Sequence, residues 1–183
     1  MSFTVEHEQP EDAGDIERLL DTVFGPDRHR RTAYRFRAAA EPVDGLGFVI
    51  RENGALSGTI RFWPVRIVPE DGSRETPALL LGPLGVARQA HGRGRGTALL
   101  HRGLAQALQQ GHRFVFLIGD LPYYGRVGFK PVLPALCRMP GPADPERILV
   151  WTASPELELP ARFALEPACG ASGASAAISL DRL

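Results

Sequence analysis

The chain has 183 residues, 44% of them hydrophobic, and its 21 basic side chains balance 21 acidic ones. That length and apolar content support one core and a single domain over residues 1–183, and neutrality argues against a protein built around a broad basic nucleic-acid surface. No apolar run is long enough for a bilayer, Met1 to Asp12 lacks the apolar core of a signal peptide, and Cys137 and Cys169 form neither a disulfide frame nor a zinc spacing, so the expectation is a reduced cytoplasmic protein without membrane association or metal.

Phe3 to Glu8 reads as a short strand. Pro10-Glu11-Asp12 is a helix start, Ile16, Leu19, Leu20, Val23 and Phe24 recur at helical spacing, and Gly25-Pro26 stops the run. A second helix is expected from Asp27 to about Ala40, ended by Pro42. Gly47 to Arg51 and Ala55 to Val68 are strand-like and joined by Glu52-Asn53-Gly54, a hairpin signal. Thr76 to Val86 continues the sheet.

Beyond the glycine-rich loop, Leu100, Leu104, Ala107 and Leu108 mark one face of a helix that Gly111 caps, and Arg113 to Ile118 is the apolar run of a strand covered on both faces. After residue 132 prolines interrupt the chain, though Arg147 to Thr152 and Ala161 to Leu165 suit strands that would complete the sheet. Gly170 to Ala177 is rich in small residues and reads as a flexible turn or tail. This order predicts an α/β fold of the α+β mixed kind, a mixed sheet flanked by helices.

Chemistry concentrates between Leu79 and Gly96. An apolar strand empties into Arg88-Gln89-Ala90-His91-Gly92-Arg93-Gly94-Arg95-Gly96 and then a helix. Glycines at alternate positions allow a sharp turn and close backbone approach, and the helix behind them offers unpaired N–H groups at the positive end of its dipole, which together describe an anion cradle. No Asp or Glu occurs from Thr76 through Gly119, where Arg88, Arg93, Arg95, Arg102 and Arg113 lie, so +5 there faces −5 elsewhere. One localised anionic ligand fits that asymmetry; the alternative is a solvated basic face. The dinucleotide fingerprint is excluded because its last glycine would fall on Thr97 or Leu99, and a P-loop because the sole lysine is Lys130.

What remains is a resemblance to the GNAT N-acetyltransferase superfamily, whose coenzyme A loop follows a strand, starts with Gln or Arg and continues x-x-G-x-G into a helix. His91 to Gly96 occupy that frame, with His91 at the Gln or Arg position. A second motif agrees. Tyr124 stands four residues before Gly128-Phe129, within Asp120-Leu121-Pro122-Tyr123-Tyr124-Gly125-Arg126-Val127-Gly128-Phe129. The resemblance covers residues 79–132 and looks most like bacterial predicted acetyltransferases of unassigned substrate.

It implies a mostly antiparallel mixed sheet that splays between two adjacent parallel strands, and acetyl-CoA as cosubstrate, without metal. Its pantetheine arm would lie along Leu84, Gly85 and Val86, with an N–H near Gly85 or Val86 facing the carbonyl oxygen. Its diphosphate would sit on His91, Gly92, Arg93, Gly94, Arg95, Gly96 and Thr97, His91 contributing mainly its N–H. Gly85 would suit close approach by adding no side chain to the cleft. Tyr124 is the candidate acid for the departing thiolate, the alternative being a tyrosine that only packs. Asp120 is a weak candidate base and reads first as a helix cap.

The implied activity is acetyl transfer to a primary amine of a small molecule or protein, by a monomer or homodimer. Residues Arg28 to Arg37, Phe62, Trp63 and parts of the C-terminal region would help shape the acceptor pocket. Arginines at 28, 30, 31, 35 and 37 could select an acidic acceptor, though a solvated helix face ranks ahead. A non-catalytic acyl-CoA-binding domain is the alternative; a nucleic-acid binder is disfavoured because no stacking aromatics interleave the short basic stretch.

Overall fold

In the computed structural model, which describes residues 3–38, 40–52 and 54–168, the chain begins with β1 (Val5–His7), a 3-10 turn at Pro10–Asp12 and α1 (Ala13–Phe24). A second 3-10 turn, Pro26–Arg30, leads to α2 (Thr32–Arg37), then β2 (Phe48–Glu52), β3 (Ala55–Pro69) and β4 (Thr76–Val86). α3 (Arg95–Gln109), β5 (Phe114–Ile118) and α4 (Leu121–Tyr124) follow, and β6 (Lys130–Pro131), β7 (Leu136–Arg138), β8 (Ile148–Thr152) and β9 (Arg162–Pro167) complete the order. Cys169 and the small-residue stretch Gly170 to Ala177 lie outside the described residues.

The nine strands form one sheet in the order β1-β2-β3-β4-β5-β8-β6, with β9 on the far half of β3 and β7 on β9. Pairing is antiparallel except for β4 with β5 and β7 with β9. The proline-rich segment after residue 132 therefore joins the sheet through three strands, β7, β8 and β9, of which only β8 and β9 are legible as apolar runs. β6 and β7 are too short, at two and three residues, to carry a periodic signal.

Side-chain alternation divides the core. Phe48, Ile50, Leu79, Leu81, Val115 and Leu117 pack toward α3, whereas Leu80, Phe114 and Phe116 join the opposite cluster with Phe36 of α2. Leu99, Leu100, Leu104 and Ala107 bury the facing stripe of α3, each leucine contributing roughly 1.5–3 kcal/mol. The contact is close because Gly103 leaves room for the Phe62 ring, which a Cβ there would meet at 2.6 Å. α3 ends as expected, with Gly111 at φ 84° and His112 N–H donating to the Ala107 carbonyl.

The continuous helix expected over Asp27 to Ala40 is broken. Arg31 is extended (φ −72°, ψ 146°), which separates the 3-10 turn from α2. The break lets Arg28 fold beneath the turn, where it is buried, donates from Nε to Asp21 Oδ1 at 2.7 Å and pairs with Glu17. A buried guanidinium needs carboxylate partners, and this requirement overrides local helix continuity.

Asp12 anchors the start of α1. Its Oδ2 accepts from Gln9 N–H at 2.9 Å and Oδ1 accepts from Arg51 of β2, so one carboxylate ties helix to sheet. Burial alone would raise its pKa, but the Gln9 N–H and the Arg51 guanidinium outweigh burial and hold the carboxyl below its usual range. Because the folded value is depressed, this contribution is present above the unfolded pKa of about 3.9 and is lost as pH falls through the lower folded value. Asp12→Ala should cost about 2 kcal/mol at neutral pH, the sum of a lost cap and a half-exposed ion pair. In thermal melts that is a drop of roughly 4–8 °C, which should shrink once the pH is below the folded value.

Candidate active site

β4 and β5 pair only at Leu79↔Val115 and Leu80↔Phe116. Past that point β4 stays with β3 as far as Val86↔Gly58, while β5 stays with β8 as far as Ile118↔Ile148, so the two parallel strands diverge. The divergence starts at a β-bulge, where Gly82 and Pro83 oppose Arg61 between the pairs Phe62↔Leu81 and Ile60↔Leu84. The β4 backbone beyond Leu80 thus lacks a ladder partner on its β5 side among the described residues.

The gap widens into a cavity of about 630 Å³ lined by Leu81 to Leu84, Leu117, Ile118 and Tyr124, and closed on the far side by α2 and Pro142 to Asp144. Leu84 alone of the three expected arm-lining residues borders it. Gly85 also has a packing reason to be glycine: a Cβ there would strike Leu20 Cδ2 at 2.8 Å, so the residue admits α1.

The loop after β4 carries the residues expected to cradle an anion. The 3-10 turn Arg88–Ala90 closes on His91, whose N–H donates to the Arg88 carbonyl at 3.1 Å. Its ring Nε2 donates to the Val86 carbonyl at 2.8 Å. His91 thus braces the loop, and the N–H it was expected to offer is engaged. The free amides begin one residue later. Among the described residues, the N–H groups of Gly92, Arg93, Gly94, Arg95, Gly96 and Thr97 meet no protein acceptor; the first helical bond is Ala98 N–H to the Gly94 carbonyl at 2.9 Å. Gly92 (φ 72°) and Gly94 (φ 75°) both adopt the left-handed region that aligns these groups, with open space where a Cβ would project.

The arginines divide by role. Arg88 and Arg93 are exposed beside the cradle. Arg95 turns inward, only 2% exposed, and grips Glu52 through two nitrogens, with Nε donating to Oε2 at 2.9 Å. Its contribution to a ligand is therefore limited to its N–H; its guanidinium fastens the loop to the β2–β3 hairpin.

Tyr124 lies half-buried in the cavity wall, edge-on to Phe129 with ring centroids 5.9 Å apart. Gly119 is where its ring needs room, since a Cβ there would overlap the ring and also lie 2.8 Å from Leu117. Burial, then the neighbouring Tyr123 phenol and Asp120 carboxylate, push its pKa up to about 12 against the opposing Arg147, so the hydroxyl keeps its proton throughout the neutral range. Tyr123 points away toward α3, its hydroxyl against Gly96. Asp120 occupies the cap position of α4, yet its side chain caps nothing and pairs with Arg147 at 3.1 Å. The expected side-chain cap is absent because the exposed carboxylate finds a guanidinium instead.

Of the residues expected around the acceptor, Phe62 is fully buried against α3 and does not line this cavity, whereas Trp63 lies beside the site and donates from Nε1 to the Gly82 carbonyl at 2.7 Å. Tyr34 of the expected Arg28 to Arg37 segment lines the cavity, and the C-terminal region, which the sequence pointed to without naming residues, contributes Pro142 to Asp144 and Arg147. Only the Tyr34-Arg35-Phe36-Arg37 pattern on α2 carried a signal, an aromatic at alternate positions with arginine.

A family model described as an acetyltransferase (GNAT) domain matches residues 4–132. The chain is 27% identical over 130 residues, 70% of each protein, to an uncharacterised N-acetyltransferase, YjhQ, of Escherichia coli K12. Its fold is similar to a GNAT family acetyltransferase of Brucella melitensis solved with acetyl-CoA, at 28% identity and TM-score 0.66 over 90% of this chain and 95% of that one. It is also similar to the E. coli GNAT protein YhbS solved with CoA, at 23% identity and TM-score 0.71 over 88% of each chain.

Proposed function

Because the chain belongs to the acetyltransferase (GNAT) family, we propose that it is an acetyl-CoA-dependent N-acetyltransferase that acts on a primary amine by direct attack in a ternary complex. Family membership makes it an acyltransferase, and the acetyl-CoA of the Brucella relative is carried to this chain as cosubstrate. The observation that supports this most is the run of acceptor-free amides from Gly92 to Thr97 at the mouth of the divergent strands. Such a run fits a diphosphate, which needs several donors converging on one group.

When bound, acetyl-CoA supplies a thioester whose C–S bond is exchanged for a C–N bond, the sulfur leaving as a thiol. The residues of this chain bind, orient and stabilise. Amides 92–97 hold the diphosphate, with Arg88 and Arg93 adding charge beside it. The unpaired edge of β4 beyond Leu80 offers backbone donors to the carbonyl oxygen as it gains charge. Tyr124 donates a hydrogen bond to the departing sulfur. With its pKa near 12, well above an ordinary thiol, it steadies the thiolate more than it surrenders a proton. The acceptor must enter as the neutral amine, and its surplus proton leaves through water reaching the cavity.

A non-catalytic acyl-CoA-binding domain is the second reading, favoured by one observation. Asp144 is the single carboxylate lining the cavity among the described residues, and it already accepts from Glu146 N–H at 3.0 Å. Thermal shift separates binding from chemistry. Coenzyme A at about 100 times its Kd should stabilise the protein by about 2.7 kcal/mol, raising Tm by roughly 5–10 °C, while single-stranded DNA should not. Release of free thiol from acetyl-CoA in the presence of an amine panel then supports the enzyme; coenzyme binding without turnover on any amine supports the second reading.

A further inference from the structure

Arg37 sits on the α2 wall of the cavity that also holds Tyr124 and the bulged end of β4. Its Nε and Nη1 are shut off from solvent and have no hydrogen-bond partner among the described residues. The guanidinium lies over the Tyr34 ring at 4.1 Å and beside Trp63 at 5.7 Å, so its plane is held by aromatics rather than by a carboxylate. Nη2 approaches Gly82, where a Cβ would come within 3.2 Å.

The other arginines around this wall are satisfied. Arg28 is engaged by Glu17, Asp21 and Tyr34, Arg147 by Asp120, Arg35 by the Pro140 carbonyl and Arg31 by the Phe24 carbonyl. Arg37 differs from all of them. Burial pulls its pKa down to about 10, the effect expected of a charge held away from water without full compensation. Nε and Nη1 lie beyond the reach of anything in the cavity, which leaves Nη2 as the donor that can face it, and an anionic group bonded to Nη2 would offset the charge that the rest of the guanidinium holds away from water. The solvated helix face expected for these arginines is thus corrected at Arg28 and Arg37, and the second of these faces the reaction space.

We propose that the acceptor is a small amine carrying a carboxylate, and that Arg37 is the residue that recognises the carboxylate. This rests on the acetyltransferase reading, because the cavity must hold the acetyl end and the acceptor together. A guanidinium suits a carboxylate well, since it stays charged even in this setting and Nη2 can donate to one carboxylate oxygen while the positive charge attracts the whole group. The aromatic stacking fixes its direction before the ligand arrives, so little side-chain freedom is lost on binding.

Product-like probes test this without requiring turnover. N-acetylglycine, its neutral carboxamide and the corresponding phosphonate would be titrated calorimetrically, each with coenzyme A present, against wild type, Arg37→Met and Arg37→Lys. Wild type should bind N-acetylglycine at least about tenfold more tightly than the carboxamide; Arg37→Met should erase that difference and Arg37→Lys retain part of it. The unliganded Met variant should melt no lower than wild type, because it loses an uncompensated buried charge.

Equal affinity of wild type for acid and amide, failure to bind either, or a preference that survives Arg37→Met would overturn the proposal. So would a melting temperature that falls in the Met variant with no change in probe affinity, since that marks a packing residue. Tighter binding of the phosphonate than of the carboxylate would replace the carboxylate with a phosphorylated amine. A wild type that takes N-acetylglycine but is not stabilised by coenzyme A rejects the acetyltransferase reading while keeping the anion site. One that binds coenzyme A but no acid rejects the anion site alone.

Discussion

Tyr124→Phe is expected to lower kcat about 100-fold, about 2.7 kcal/mol of transition-state stabilisation, and to leave coenzyme A affinity within about twofold of wild type. The substitution removes one hydroxyl from a ring whose position is fixed by Gly119, Leu117 and Phe129, so the cavity keeps its shape. Only the hydrogen bond to developing negative charge disappears, and an interaction made in the transition state alone appears in kcat rather than in ligand affinity. The pH profile provides an independent check. A phenol held near 12 remains protonated, so wild-type kcat should show no descending limb between about pH 7 and about pH 10. Unchanged turnover in the Phe variant, or a wild-type profile that falls near pH 8, would show that Tyr124 merely packs.

The legible parts of this molecule are those in which neighbouring residues specify their own geometry. The cradle can be read because Gly92, Gly94 and Gly96 are consecutive in one loop, and strands such as β4 because apolar residues run without interruption. Even there, reasons can be incomplete. Gly85 reads in sequence only as a ligand contact, yet it also makes room for Leu20, and nothing local reveals which helix covers which face. Gly96 has a similar second purpose, accommodating the Tyr123 hydroxyl from across the cleft.

Arginines are harder still. Arg28, Arg37 and Arg95 look alike in a chain that uses arginine almost wherever it uses a basic residue. Their roles depend on contacts far away in sequence: Glu52 is 43 residues from Arg95, and the Asp144 side of the cavity is more than a hundred from Arg37. The result is three buried or half-buried guanidiniums, two neutralised by carboxylates and one without a carboxylate partner among the described residues, at the wall of the cavity. No periodicity or local motif distinguishes them. The same holds for the break at Arg31, which follows from where Arg28 finds its partners and not from the helix propensity of Asp27 to Ala40.

Gly94→Ala should weaken coenzyme A binding about 30-fold, about 2 kcal/mol, as one or two charge-assisted hydrogen bonds from the backbone are lost. The residue has φ 75° and is the cap of α3, so an L side chain strains the turn that aims amides 92–97 outward. No protein atom lies within 4 Å of the added Cβ, so a steric clash within the fold cannot account for the loss. Backbone strain alone costs roughly 1–2 kcal/mol of stability, and this must be separated from the ligand effect. Gly54 provides the control: its φ is 78°, its Cβ would also project into open space, and it lies at the β2–β3 turn. Gly54→Ala should therefore lower the melting temperature about as much as Gly94→Ala and leave coenzyme A affinity unchanged. If the two variants lose affinity equally, the effect is a general loosening of the fold and the amides of residues 92–97 are not the diphosphate site. If only Gly94→Ala loses it, the left-handed turn before α3 is what holds the cofactor.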